Sequence, residues 1–175
     1  ISYVHALISI KNANSDRAIS ILQNSVNNDS NTNRLPQLYY LLGEIYLQRG
    51  QPEQSINYYK QFLKYQKGQN LLKDTNYKVG ICHLLLNNSD SSQYYFDESR
   101  KISWAKNEAD KNAKSNLESD ITPNKDLMQI RYATDGGYYN NALNLLNNVD
   151  TTQFSKRDQT EYYYRSARIN HKINK

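Results

Sequence analysis

The sequence predicts an all-α chain of stacked antiparallel helix pairs, and three observations carry that prediction. Only three prolines and six glycines punctuate 175 residues, and neither β-branched alternation nor hairpin dipeptides occur in number, so the chain reads as helical. Small residues recur in phase: Gly43, Gly80 and Ala167 on one set of helices, and Ala18, Ser55, Ser92 and Ala142 on the other. Between the paired segments stand Gly50, Asn87, Gly137 and, late in the chain, Asn174. Glycine and asparagine are the residue types that most readily take the left-handed conformation ending a helix.

Taken in order, Ala6, Ala18 and Leu22 fit an initial, poorly matching unit over residues 1–32. The clearest unit covers 36–69: Tyr39-Tyr40-Leu41-Leu42-Gly43-Glu44-Ile45-Tyr46, then Gly50, Ser55, Tyr59 and Phe62. The same register carried to Gly80 sets Asn87, Ser92, Phe96 and Ser99 in the matching places, giving a unit over 73–106. Ile130, Gly137, Ala142, Leu146 and Val149 define a further unit over 123–152. Tyr163, Ala167 and Asn170 begin a partial one over 160–175. Small residues at the matched positions let two helices approach closely, where larger groups would hold them apart.

The step from residue 73 to residue 123 exceeds the about 34 residues of a standard helix-pair repeat, so a segment of roughly 103–120 is inserted. Ile102, Ala105, Ala109, Ala113 and Leu117 recur there at helical spacing. They predict either an extended second helix or an additional one. Pro123 is expected to open the next helix, with Thr122 as its N-cap.

Apolar residues make up 38% of the chain, but sixteen tyrosines add rings that bury while their hydroxyls find partners. Tyrosine is therefore expected to build much of the core. The asparagine pairs, such as Asn87-Asn88 and Asn147-Asn148, sit within helical apolar spacing and carry no functional weight. The lone cysteine, Cys82, has no partner for an internal disulfide and falls in an apolar run, which makes it a core residue. No stretch reaches the roughly 20 apolar residues that span a bilayer. The sequence starts at Ile1 rather than methionine, which leaves open a cytoplasmic location or, after removal of a signal, export.

The segments above resemble the tetratricopeptide-repeat family, strongly over 36–69 and by phase elsewhere, as a degenerate variant with serine at residue 55 where the family usually has alanine. Gly68-Gln69-Asn70-Leu71-Leu72-Lys73-Asp74 and Asp135-Gly136-Gly137-Tyr138-Tyr139 look like a bacterial form of that family. The resemblance implies one repeat domain over 1–175, a right-handed superhelical solenoid, and a concave groove that takes a protein or peptide of unspecified identity. It points to a scaffold or adaptor, and the residues themselves show no catalytic motif and no cofactor site.

Carried over register by register, the groove positions on the first helices are Gln37, Tyr40, Glu44 and Gln48, then Asp74, Tyr77, Ile81 and Leu84. Asn124, Leu127, Arg131 and Asp135 follow, and Glu161, Tyr164, Arg168 and His171 close the series. Tyr40, Tyr77 and Tyr164 recur at one layer. They serve either as rigid, polar-tipped contacts for a ligand or as packing between neighbouring first helices. Glu44, Arg131 and Arg168 favour a mixed-charge peptide. The lysine, asparagine and arginine clamp with which some family members hold a C-terminal carboxylate is missing.

His5, His83 and His171 fall in different units, and no metal-ligand spacing links them. Cys82 and His83 are adjacent on a predicted helix, so their side chains diverge by about 100°, which makes them no nucleophile–base pair. Neither a nucleophile elbow nor a phosphate-cradling glycine loop occurs. From Ser155 onward, Lys156, Arg157, Arg165, Arg168, Lys172 and Lys175 face only Asp158 and Glu161, so most of the net charge of +5 lies at that end. It reads as a solvated helix face or as an anionic-partner site. Nucleic-acid binding through these cations and the tyrosines is the alternative function, weakened by Glu44, Asp74, Asp135 and Glu161 at groove positions. A third reading is an open-ended array that polymerises or docks within a longer chain.

Overall fold

The computed structural model describes residues 2–11, 14–28, 34–119 and 124–174, with the backbone alone for residues 2, 3, 8, 10 and 11. Among the described residues there are ten α-helices and no strand: α1 Ser2–Lys11, α2 Ser15–Asn28, α3 Leu35–Gln48, α4 Pro52–Tyr65, α5 Leu72–Leu85, α6 Ser89–Lys101, α7 Glu108–Glu118, α8 Lys125–Asp135, α9 Tyr139–Asn148 and α10 Lys156–Ile173. The chain divides into two compact units, Ile1–Leu47 with Gln51–Ile121, and Gln48–Gly50 with Thr122–Lys175. In the first, Ala6, Ala18, Ile19, Leu22, Leu38, Leu42 and Ile45 form a core across α1, α2 and α3. In the second, Leu127, Ile130, Ala133, Ala142, Leu146, Phe154 and Ile169 do so across α8, α9 and α10. No described helix is long and apolar enough to cross a membrane.

The in-phase small residues mark where helices meet. A Cβ built on Gly43 would stand 2.5 Å from the Tyr59 ring, and one on Gly80 would stand 2.6 Å from the Phe96 ring. Each glycine thus makes room for the aromatic of its partner helix at the same register. Ser55 donates its hydroxyl to the Gly43 carbonyl at 2.8 Å, so the serine in the alanine position satisfies its own polarity inside the core. Ala18, Ser55 and Ala142 are fully buried and Ser92 nearly so. Ala167, by contrast, is exposed on α10.

The turns within pairs repeat one geometry. Gly50, Asn87 and Gly137 all take positive φ, at 73°, 58° and 81°. The next residue's N–H closes back in each case: Gln51 to Tyr46 O, Asn88 to His83 O and Tyr138 to Ala133 O, all at 2.9 Å. This is a Schellman-type close, which satisfies helix-end carbonyls. Asn174 departs from the prediction: its φ is −88°, and its N–H continues the helical pattern to Asn170 O.

The insertion contains an additional helix, α7, rather than a prolonged α6. Periodicity overreached at its start, because Ile102 ends α6 with extended backbone and Asn107 caps α7 by accepting the Asp110 N–H. Ile102 and Ala105 therefore precede the new helix, while Ala113 and Leu117 form its buried face. The predicted Thr122 cap and Pro123 start lie outside the described residues; α8 is capped by Asn124, whose side chain accepts the Asp126 and Leu127 N–H groups.

Candidate functional site

In the first unit, the predicted positions Tyr40, Glu44 and Asp74 come together around a cation that sequence reasoning missed, Lys78. Its ammonium lies 2.6 Å from Glu44 and 2.9 Å from Asp74. It also lies 2.9 Å from the Tyr40 hydroxyl, which itself donates to Asp74 at 2.6 Å. Tyr59 donates to Glu44 from α4. Burial pushes the Tyr40 phenol far above its ordinary value against the lowering pull of Lys78, and Glu44 and Asp74 add to the rise. Burial, with Glu44 beside it, does the same to Tyr59. These groups satisfy one another, so the cluster is an internal lock more than an open recognition surface.

The cover comes from α5 and its neighbours. Helix α5 contacts α4, α6 and α7, and Asp74, Tyr77 and Ile81 are buried, Ile81 completely. Tyr77 packs at a tilt against Phe96, with ring centroids 5.6 Å apart. Lys73 donates to Ser99 O at 2.8 Å, and the Ser99 hydroxyl donates back to Lys73 O at 2.7 Å. The start of α5 has no cap of its own: Leu71 sits there at φ 65° without a side-chain cap bond. Asp110 of α7, fully buried, takes that role by accepting the Leu71 and Asp74 N–H groups, each at 2.9 Å.

In the second unit, Arg131, Asp135, Glu161 and Arg168 come together around Arg165. Asp135 lies 2.9 Å from Arg165, 2.6 Å from Arg168 and 4.0 Å from Arg131. Glu161 lies 3.4 Å from the Arg165 Nε. Three guanidinium groups therefore share two carboxylates. The flanking Tyr164 is 59% exposed, with Arg165 5.4 Å from its ring centroid. His171 is exposed; Leu127 is buried in the core. Gln37, Gln48 and Leu84 are partly exposed, and Asn124 is spent on capping α8.

Cys82 is buried, its thiol pushed up to about 12 by loss of solvation, with only a weak contact to the Ser55 hydroxyl at 3.5 Å. His83 stacks on Tyr95 with centroids 5.5 Å apart. No group of three or more metal-ligating side chains occurs among the described residues.

Stacked antiparallel helix pairs with matched turns and glycine-aromatic approaches define an all-α helical-repeat protein. Residues 36–69, covering α3 and α4, match the tetratricopeptide repeat family model. The chain thus contains a tetratricopeptide repeat, formed by α3 and α4. No curated protein and no solved structure matches it. Tetratricopeptide repeats generally mediate protein–protein interactions, and their fold typically serves as a scaffold.

Proposed function

We propose that the protein is a non-catalytic adaptor that binds a mixed-charge protein or peptide segment through the exposed positions of its first helices. The observation that carries this reading is the second-unit cluster: Tyr164 stands largely exposed beside Arg168 and Asp135, themselves partly open to solvent. A rigid aromatic with a polar tip, flanked by charges of both signs, suits a peptide contact. Tyr40 contributes less to such a surface, because its hydroxyl is already engaged by Asp74 and Lys78.

A photo-crosslinking amino acid placed at Tyr164 tests the reading against the same group at Tyr94, an equally exposed ring on the second helix α6. The expected result is a protein adduct, resistant to nuclease, from position 164 and none from position 94. Adducts from position 94 alone would move recognition to the second helices. Adducts abolished by nuclease would replace the protein partner with nucleic acid.

A further inference from the structure

The extended segment between α6 and α7 builds a cleft of about 480 Å³, lined by Ser103, Trp104, Ala105, Lys106, Lys111, Lys114, Ser115 and Glu118. Its charged lining is mainly cationic, three lysines against the single carboxylate of Glu118. Lys111 is paired with Glu108, which is largely exposed, at 2.8 Å, and Lys114 lies 3.7 Å from Glu118. Lys106 makes no ion pair among the described residues; its ammonium sits 4.5 Å over the Trp104 ring. The Trp104 indole N–H is buried with no hydrogen-bond partner among the described residues, so the indole offers the cleft apolar ring surface and no exposed donor. Three ammonium groups against one lining carboxylate favour a ligand of negative charge, while the indole and the lysine stems offer apolar wall.

We propose that this cleft is a second recognition site, distinct from the first-helix positions, and that it takes an acidic peptide segment of two or three residues whose carboxylates meet Lys106, Lys111 and Lys114 and whose apolar side chain lies against Trp104. The cleft volume falls in the range of about 300 to 1,000 Å³ typical of ligand sites. A nucleic acid fits less well, because Lys106 already occupies a face of the ring on which a base would stack. Phosphate finds neither an arginine fork nor a glycine nest in the lining. This site stands or falls independently of the groove.

Trp104 is the only tryptophan in the chain, so its emission reports on this cleft directly. The full chain is titrated at low salt with a capped hexapeptide alternating glutamate and leucine. A saturable change in emission is expected, and it weakens as sodium chloride is raised. In a Lys106→Gln, Lys114→Gln variant shown by circular dichroism to be folded, affinity is expected to fall at least about fivefold. Lys106→Gln alone, which breaks no ion pair, keeps the test readable should the double variant unfold. A silent titration, an equal response to the glutamine–leucine peptide, or unchanged affinity in Lys106→Gln overturns the proposal. Tighter binding of inorganic phosphate or of a thymidine oligonucleotide would also overturn it.

Discussion

The two charge clusters on first helices are built from matching predicted positions, yet they are in opposite states. Around Lys78, one cation is held between two carboxylates and two tyrosines, and α5 is wrapped on several sides. Around Asp135, three arginines converge on one carboxylate beside a tyrosine left in solvent. The first cluster is covered because α5 is packed by α4, α6 and α7, with α7 contributing Asp110 to its start. A register identifies which positions are equivalent; the neighbouring elements decide whether those positions recognise a partner or close the fold.

The largest effect should come from opening the closed cluster. Lys78→Ala leaves Glu44 and Asp74 facing each other without their cation, where the Lys78 and Asp74 side chains are only 12% and 5% exposed. Removing one partner of a buried pair costs about 3 kcal/mol, so urea denaturation should show a loss of that order. Lys78→Met combined with Glu44→Gln and Asp74→Asn should recover part of it, since no carboxylate is then stranded. A single-variant loss below about 1 kcal/mol, the level of an exposed ion pair, would place both clusters in the same class and break the comparison.

The next effect tests the role assigned to α7. Asp110→Ala removes the acceptor of two buried N–H groups at the start of α5, and loss of a helix cap costs about 1 to 2 kcal/mol. Hydrogen exchange should quicken at Leu71 and Asp74 while α8 to α10 stay unchanged. Unaltered protection at Leu71 would show that α7 lies against α5 without holding it.

The register from Gly43 to Gly80 and the glycine or asparagine stops were legible because each answers a local steric demand: a glycine under an aromatic ring, a positive φ in a tight turn. Lys78 could have been read as well, since it lies one turn beyond Asp74 on the same helix face. Arg165 bears the same relation to Glu161. Asp110 could not, because no sequence pattern marks a carboxylate that caps a helix begun far upstream. The burial of Tyr77 and Ile81 depends on helices packed around α5, which periodicity along α5 does not show. The overrun at Ile102 has a similar origin: a cap at Asn107 outweighed an apolar spacing that continued across it.

His83, also on α5, gives a smaller, pH-dependent effect. Burial, reinforced by the nearby Lys60 charge, lowers its pKa from the ordinary 6.5, and neither ring nitrogen has a hydrogen-bond partner among the described residues. The unfolded chain therefore binds this proton first, so the contribution is intact above about pH 6.5 and is lost as pH falls towards the depressed folded value. His83→Phe preserves the stack on Tyr95 and should lose less melting temperature between pH 7.5 and 5 than the unsubstituted chain. Equal losses would mean that His83 takes up its proton in the folded state as readily as in the unfolded one.

The smallest stability effect is expected at Arg168, and there the open cluster is defined most sharply. Its side chain is 35% exposed, and Asp135 keeps Arg165 at 2.9 Å when Arg168 is removed. Arg168→Ala should therefore change the unfolding free energy by no more than about 0.5 kcal/mol. Arg165→Ala should cost several times more, because that side chain is 8% exposed and spans both Asp135 and Glu161. If the groove reading holds, the ranking reverses for partner capture: Arg168→Ala weakens crosslinking from position 164 while the melt is unmoved. A melt lowered as much by Arg168→Ala as by Arg165→Ala would make Arg168 a structural tie between α8 and α10, and the second cluster would then be as closed as the first.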